Sequence, residues 1–334
     1  MTKPLDKIRH WSALIRARWT GPDAPVAATS IDLCRDPALA ALLGSPPALA
    51  TRLLPLRAAT VVGWGHRRSG RRAKRLARRN GARHVLIEDG FLRSAMRDDP
   101  PLSLVFDDLG IYHDASRPSR LERLIADAAP NSVRARRLID LWRDLNLTKI
   151  AALPDYGGPL PDRYVLLFDQ VRGDLSVGGG FANAQSFERM VAAARTDFPD
   201  LPIVLKSHPD VHLRGANGYL EPNGADLAIT APCNPARLIS GAEAIYTVTS
   251  QAGFEALIHG RPVRTFGMPF YAGWGLTTDD LPAPSRRRGA TVEALVHAAL
   301  VDYPRYLDPK TGGITDVETV LRHLTRPAAA RRAA

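Results

Sequence analysis

Short, continuous apolar runs recur along this chain, and each closes on a polar or glycine-containing turn. Residues 58–62 lead into Gly63-Trp64-Gly65-His66, 84–87 into Glu88-Asp89-Gly90, and 102–106 into Asp107-Asp108. Further on, 164–168 lead into Asp169-Gln170, 203–205 into Lys206-Ser207-His208-Pro209, 244–248 into Thr249-Ser250, and 263–266 into Gly267. Runs without polar alternation suit strands covered on both faces, and therefore a mostly parallel sheet. Helical segments are expected between them, over 71–80, 120–129, 133–147, 184–197, 235–240, 252–259 and 292–303. That alternation predicts a doubly wound α/β fold. Pro154, Gly157, Gly158, Pro159 and Pro161 crowd together and mark a boundary. The expected division is an N-terminal half, 1–155, and a C-terminal half, 156–334, each Rossmann-like, facing a central cleft.

The length of 334 residues and 45% hydrophobic content suffice for two such cores. Cys34 and Cys233 are the only cysteines and lie far apart, which argues against a disulfide scaffold or a zinc site and suits a reducing compartment. Residues 1–10 are charged, so no signal peptide is expected there. The most apolar stretch, 38–56, is interrupted by Gly44, Pro46, Pro47 and Pro55 and cannot span a bilayer as a helix. The expectation is a soluble cytoplasmic protein, with a disordered basic tail from about 326.

The formal net charge of +11 is concentrated between His66 and Arg79. Such a field attracts nucleic acid, an anionic membrane or an acidic glycan, or else it is a solvated helix face. A nucleic-acid-binding α/β protein is the competing class, but no recognition motif accompanies the charge and the aromatics do not interleave with it.

Several strand ends carry chemistry-bearing residues. Lys206-Ser207-His208-Pro209 sets potential cations at a carboxyl edge, where Lys and His⁺ would neutralise a phosphate; a structural strand-end histidine fits equally. Thr249-Ser250-Gln251 is either an anion site at a helix start or an ordinary N-cap, and Glu255 either accepts from ribose hydroxyls or faces solvent. Asp169-Gln170-Val171-Arg172-Gly173-Asp174-Leu175-Ser176 reads as a catalytic constellation or as a solvated loop, with Gly173 permitting a tight turn before Asp174. Glu88 in the other half could face it, and opposed carboxylates are what glycosyl transfer needs. Asp107-Asp108 is a divalent-ion candidate or a turn. The loop 267–277, Gly-Met-Pro-Phe-Tyr-Ala-Gly-Trp-Gly-Leu-Thr, is irregular and stiff, and its aromatics must bind something or pack under something. The chain lacks a P-loop lysine motif, a Gly-x-Gly-x-x-Gly after its first strand, and a metal-ligand cluster.

Taken in order, Trp64–Arg67, Glu88–Ser94, Pro101–Leu104 with Asp107, Asp108 and Gly110-Ile111-Tyr112, Asp169–Asp174, Lys206–Val211, Gly218-Tyr219 and Thr249–Leu276 resemble the KpsC-type β-Kdo transferases of capsular polysaccharide biosynthesis. Kdo is a ketose that carries a carboxylate at its anomeric carbon. The resemblance implies a GT-B-like α/β fold of two Rossmann-like, doubly wound halves, acceptor side first and donor side second. It implies CMP-Kdo as donor, no cofactor and no metal, and transfer with retention to a (lyso)phosphatidylglycerol-linked Kdo acceptor. Asp174 then matches the nucleophile, Glu88 the group that assists proton transfer, and His208 the contact to the CMP phosphate. Gln170, Lys206, Ser207, Pro209, Thr249, Ser250, Gln251 and Glu255 are expected at the donor, and Arg93, Tyr271 and Trp274 at the acceptor. Expected partners are the anionic inner-membrane surface, bound peripherally, and other capsule assembly proteins, with no nucleic acid. Proteins of this kind usually carry tandem modules, and this chain has length for one. A non-catalytic assembly or export protein of the same fold is the alternative; the presence of Asp174, Glu88 and His208 speaks against it.

Overall fold

In a computed structural model, the described residues are 26–51 and 58–325. The expectations for residues 1–10 and for the tail from 326 lie outside them.

The described strands form two sheets. In chain order they are β1 (Val26–Ala28), β2 (Ala48–Leu49), β3 (Thr60–Trp64), β4 (Arg83–Asp89), β5 (Ser103–Asp107), β6 (Val165–Phe168), β7 (Ile203–Lys206), β8 (Leu227–Ile229), β9 (Ala244–Thr247), β10 (Val263–Thr265), β11 (Thr278–Asp279), β12 (Pro304–Leu307) and β13 (Ile314–Thr315). Every apolar run named above overlaps a strand. β6, β7 and β9 are buried residue by residue, as continuous apolar runs require.

The second sheet is parallel throughout, in the order β8-β7-β6-β9-β10-β11. This is the Rossmann order, in which the strand sequence reverses between the two central strands, and ligands bind outside their carboxyl ends. Here those strands are β6 and β9.

The first sheet, ordered β2-β1-β3-β4-β5-β12-β13, departs from the expected winding. It is parallel from β2 to β4 and antiparallel from β4 outward. No helix joins β4 to β5, so the chain turns straight back, and only an antiparallel pair allows that. The division at 155/156 also needs correction. β12 pairs with β5, so the end of the chain returns to the sheet formed by its beginning.

Glycine lets β3 and the helix Arg68–Arg79 meet closely. A Cβ at Gly63 would strike Ser69 and Gly70, and one at Gly70 would strike the Gly65 carbonyl. The halves share an aromatic seam. Phe91, after β4, packs tilted against Phe270 of the second half at 4.5 Å between ring centroids, and Phe254 lies 5.2 Å from Phe270. These rings belong to one hydrophobic cluster containing residues of both halves.

Candidate active site

At the reversal point the first two residues after β6 take different tasks. Asp169 accepts the backbone N–H groups of Tyr219 and Leu220 at 3.0 and 3.2 Å through Oδ1, while its Oδ2 sits where a Cβ at Gly218 would be. It braces a neighbouring loop, and burial raises its pKa. Gln170 ties β6 to β9. Its Oε1 accepts the Thr249 N–H at 2.9 Å, and its Nε2 donates to Thr249 Oγ1, Ser176 Oγ and Asp174 Oδ2 at 3.0, 3.2 and 3.4 Å. Asp174 follows Gly173, whose φ of 86° only glycine adopts without strain, and caps the helix Leu175–Gly179 by accepting the Ser176 N–H at 2.9 Å. The result is an exposed carboxylate in a fixed orientation.

One strand over, the Lys206 Nζ is buried and donates to the Ser207 and Ala231 carbonyls at 2.8 and 3.2 Å. Its burial, without a paired carboxylate, lowers its pKa, so an anion arriving there finds an ammonium already stripped of water. His208 corrects the expectation of an imidazolium. Its Nδ1 accepts the Asp210 N–H at 3.1 Å and burial lowers its pKa, so the ring is neutral and offers a donor at Nε2. Pro209 stands at the first helical position, where its missing N–H costs nothing. Asp210 forms an ion pair with Arg97 of the first half.

Glu88 reaches the opposite wall from β4. Its Oε1 occupies the space that a side chain at Gly65 would take, and lies 3.7 Å from His113 Nε2. His113 packs edge-on against His66, whose Nε2 lies 3.4 Å from Asp114. Sequence reasoning missed His113 and Asp114, although they directly follow the Gly110-Ile111-Tyr112 element; nothing in residues 107–114 alone says that this loop folds back beside β3. Arg93 spends its guanidinium within its own loop, on Asp89 at 3.1 Å, Ser94 Oγ at 2.8 Å, and the Arg97 and Asp99 carbonyls at 2.7 and 3.0 Å. Together these walls enclose a cleft of about 960 Å³, which Glu88, Arg93, Asp174, Lys206, His208 and Glu255 all line. Gln170, Ser207, Pro209, Thr249, Ser250 and Gln251 line it too.

Residues 59–141 and 131–306 match the family described as capsule polysaccharide biosynthesis protein. The chain belongs to that family. It is 37% identical over 290 residues to the capsule polysaccharide modification protein LipA of Neisseria meningitidis serogroup A, a match covering 80% of this chain and 41% of LipA. The chain therefore spans about two fifths of that relative's length. Among solved structures it is similar to the β-Kdo 2,4 transferase of Thermosulfurimonas dismutans KpsC, with 37% identity, a TM-score of 0.84, and coverage of 91% of this chain and 98% of that one. The β-Kdo 2,7 transferase of the same KpsC is 31% identical with a TM-score of 0.62, over 80% of this chain and 84% of that one. The expected likeness to KpsC-type proteins holds, and with it the GT-B-like α/β fold.

Within this member of the capsule family, Tyr271 and Trp274 are not at the cleft. Their exposures are 0% and 1%, which contradicts a part in acceptor binding. The Tyr271 hydroxyl donates to the Ser250 carbonyl at 2.6 Å, and Trp274 Nε1 donates to the Phe270 carbonyl at 2.9 Å. Buried Arg287 holds the loop by donating to the Pro269 and Ala272 carbonyls while pairing at 2.7 Å with buried Glu122. Of this loop only Pro269 and Phe270 line the cleft. Glu255 does not face bulk solvent, although it borders the cleft. It is 3% exposed, accepts the Lys149 N–H at 3.1 Å, and burial pushes its carboxyl up to about 7. Gln251 donates to the Phe91 carbonyl at 2.8 Å across the seam. Asp107 is a turn residue, accepting the Leu109 and Gly110 N–H groups and the Tyr303 hydroxyl. Among the described residues no helix is long and apolar enough to cross a membrane.

Proposed function

We propose that the chain is a retaining glycosyltransferase that moves β-linked Kdo from CMP-Kdo to a (lyso)phosphatidylglycerol-linked Kdo acceptor in capsule linker assembly. The observation that carries this is the correspondence with the KpsC 2,4 transferase over 98% of that chain. The higher TM-score, 0.84 against 0.62, favours a 2,4 linkage over a 2,7 linkage.

In this reading Asp174 attacks the anomeric carbon. A carboxylate oxygen forms the new bond as the bond to CMP breaks, and the electron pair leaves on the phosphate oxygen. Lys206 and the His208 Nε2–H meet that developing charge from fixed positions, so little reorganisation is needed as CMP departs. The acceptor hydroxyl then attacks the same carbon, Glu88 takes its proton, and Asp174 is released. Gln170 acts through Asp174, since one amide aligns the carboxylate, Ser176 and Thr249 together.

The helix Arg68–Arg79 is the surface proposed to rest on an anionic membrane. It buries Gly70, Ala73, Leu76 and Ala77 and leaves Arg71, Arg72, Arg75 and Arg78 exposed. No acid occupies its first turn, so the positive charge is uncompensated against the helix dipole. Replacing those four arginines with Gln should weaken binding to anionic liposomes by about 1 kcal/mol per charge at low salt while sparing turnover on a soluble acceptor.

The deciding test is incubation of the protein with CMP-Kdo, generated in situ, and a Kdo-capped glycolipid. A product heavier by one Kdo, with a β-2,4 linkage, supports the proposal. Intact donor and acceptor after prolonged incubation reject it.

A further inference from the structure

A cation that lines a ligand cleft and bonds no group of its own protein is available for recognition. Most cations of this cleft are already engaged. Arg93 is bonded to Asp89 and to loop carbonyls, and Arg97 and Arg214 both face Asp210. Arg172 donates to the Gly218 carbonyl at 2.8 Å and lies over the Tyr219 ring, and Lys206 holds two carbonyls. Among the described cations lining the cleft, that leaves Arg67 and Lys149 with side chains that bond no protein group.

Their settings differ. Arg67 is exposed and precedes the arginine-rich helix, so it belongs to that surface as much as to the cleft. Lys149 is half-buried, and its backbone is fixed from both halves. Its N–H donates to Glu255 Oε1 at 3.1 Å, and its carbonyl accepts the Arg93 N–H at 3.0 Å. The next residue, Ile150, bridges to Ser94. A lysine whose main chain is held this tightly while its ammonium stays unpaired has lost backbone freedom and kept its charge for an outside partner. Glu255 feels the charge of that ammonium, which draws its pKa down, but forms no ion pair with it, and burial is the larger effect and favours the neutral carboxyl. The nucleotide phosphate already has Lys206 and His208, so the negative group that Lys149 meets is a different one.

We propose that Lys149 is the receptor for a carboxylate on the sugar substrate. This rests on the reading of the cleft as a site for an acidic sugar. It gives the protein a means of rejecting neutral sugars that the phosphate contacts cannot supply, because an unpaired ammonium covered by a neutral group gives up water without gaining a charged partner.

The test uses the full chain with Kdo, Kdo methyl ester and CMP as separate ligands, measured by titration calorimetry or ligand-observed NMR. Wild type should prefer the acid to the ester. Lys149→Gln should weaken binding of the acid by about 10-fold or more and abolish the preference, leaving CMP binding unchanged. Lys149→Arg should recover part of it, and Lys149→Met serves if the Gln variant does not fold. Lack of preference in wild type, or a preference surviving in Lys149→Gln, overturns the proposal. So does an equal loss of CMP binding, which would assign Lys149 to the phosphate. In turnover, a raised KM for CMP-Kdo alone places the carboxylate on the donor, and a raised KM for the Kdo-capped acceptor alone places it on the acceptor. If no Kdo is transferred while the Lys149-dependent acid preference persists, the transfer reading fails and the carboxylate receptor stands.

Discussion

Two irregular loops leave the same carboxyl edge of the second sheet and end in opposite environments. The turn after β6 carries Asp174 into the cleft as an exposed carboxylate, whereas the loop after β10 carries Trp274 and Tyr271 into the seam between the halves. Both contain glycines at positive φ, Gly173 in one and Gly273 and Gly275 in the other, so backbone shape does not separate them. Position in the sheet does. β6 borders the reversal point, where the flanking helices lie on opposite faces and leave a crevice; β10 lies beyond β9, where the first half and Arg287 cover the strand end.

The contrast is tested most severely at Asp174. Asp174→Asn keeps the Oδ1 acceptor that caps Ser176, so thermal stability should stay near wild type and donor should still bind. Turnover should fall by about 10³-fold or more. A Glu88→Gln variant given donor without acceptor should accumulate a Kdo ester, which peptide mapping should place on Asp174. Near-normal turnover in Asp174→Asn, or an adduct elsewhere, would show that this turn merely caps a helix.

Trp274→Ala should do the reverse. Emptying a side chain that is 1% exposed should cost about 3–5 kcal/mol in a urea melt, with the KM of the folded enzyme for either substrate unchanged. If stability held and the acceptor KM rose, the aromatic loop would be a ligand site after all.

Glu255 lies on the boundary between the two regimes, lining the cleft yet buried in the seam. Its folded pKa of about 7 lies above the ordinary glutamate value of 4.5, so between these the native state holds a proton that the unfolded state has released. The associated stability is fully present below about 4.5 and is lost as pH rises through about 7, on the order of 3 kcal/mol. Glu255→Gln removes this dependence, so its melting temperature should decline less between pH 5 and 8 than that of wild type. Parallel profiles would show that Glu255 is ionised in the native protein. The smallest effect is expected from Asp169→Asn, which keeps the Oδ1 that accepts the Tyr219 and Leu220 N–H groups. Turnover should remain within about 10-fold of wild type, and a loss as deep as that of Asp174→Asn would move Asp169 from bracing into chemistry.

The strands that organise the site were legible because β3, β4, β5, β6, β7 and β9 are four to seven residues long, each around an uninterrupted apolar run. The short strands β1, β2, β8 and β11 were not, since two or three residues carry no period. Most cleft residues were visible in advance because they directly follow parallel strands. His113 was not, because it follows an antiparallel strand and reaches Glu88 only through the fold. The aromatic loop misled for a related reason: burial is a property of what covers a segment, and Glu122 and Arg287, which lock the cover down, stand 165 residues apart.

The chain by itself determined the alternation of strand and helix, the residues presented at each strand end, and the likeness to the KpsC-type family. Those are local or ordered properties, set by hydrophobic pattern and by glycine and proline placement. Only the tertiary structure decided which strand ends open onto the cleft, that His208 is a neutral donor, and that Lys149 keeps an unpaired ammonium while its neighbours spend theirs. Each of these depends on burial and on partners distant in sequence, and the energy of a charge or a polar group is set by its surroundings and not by its place in the chain.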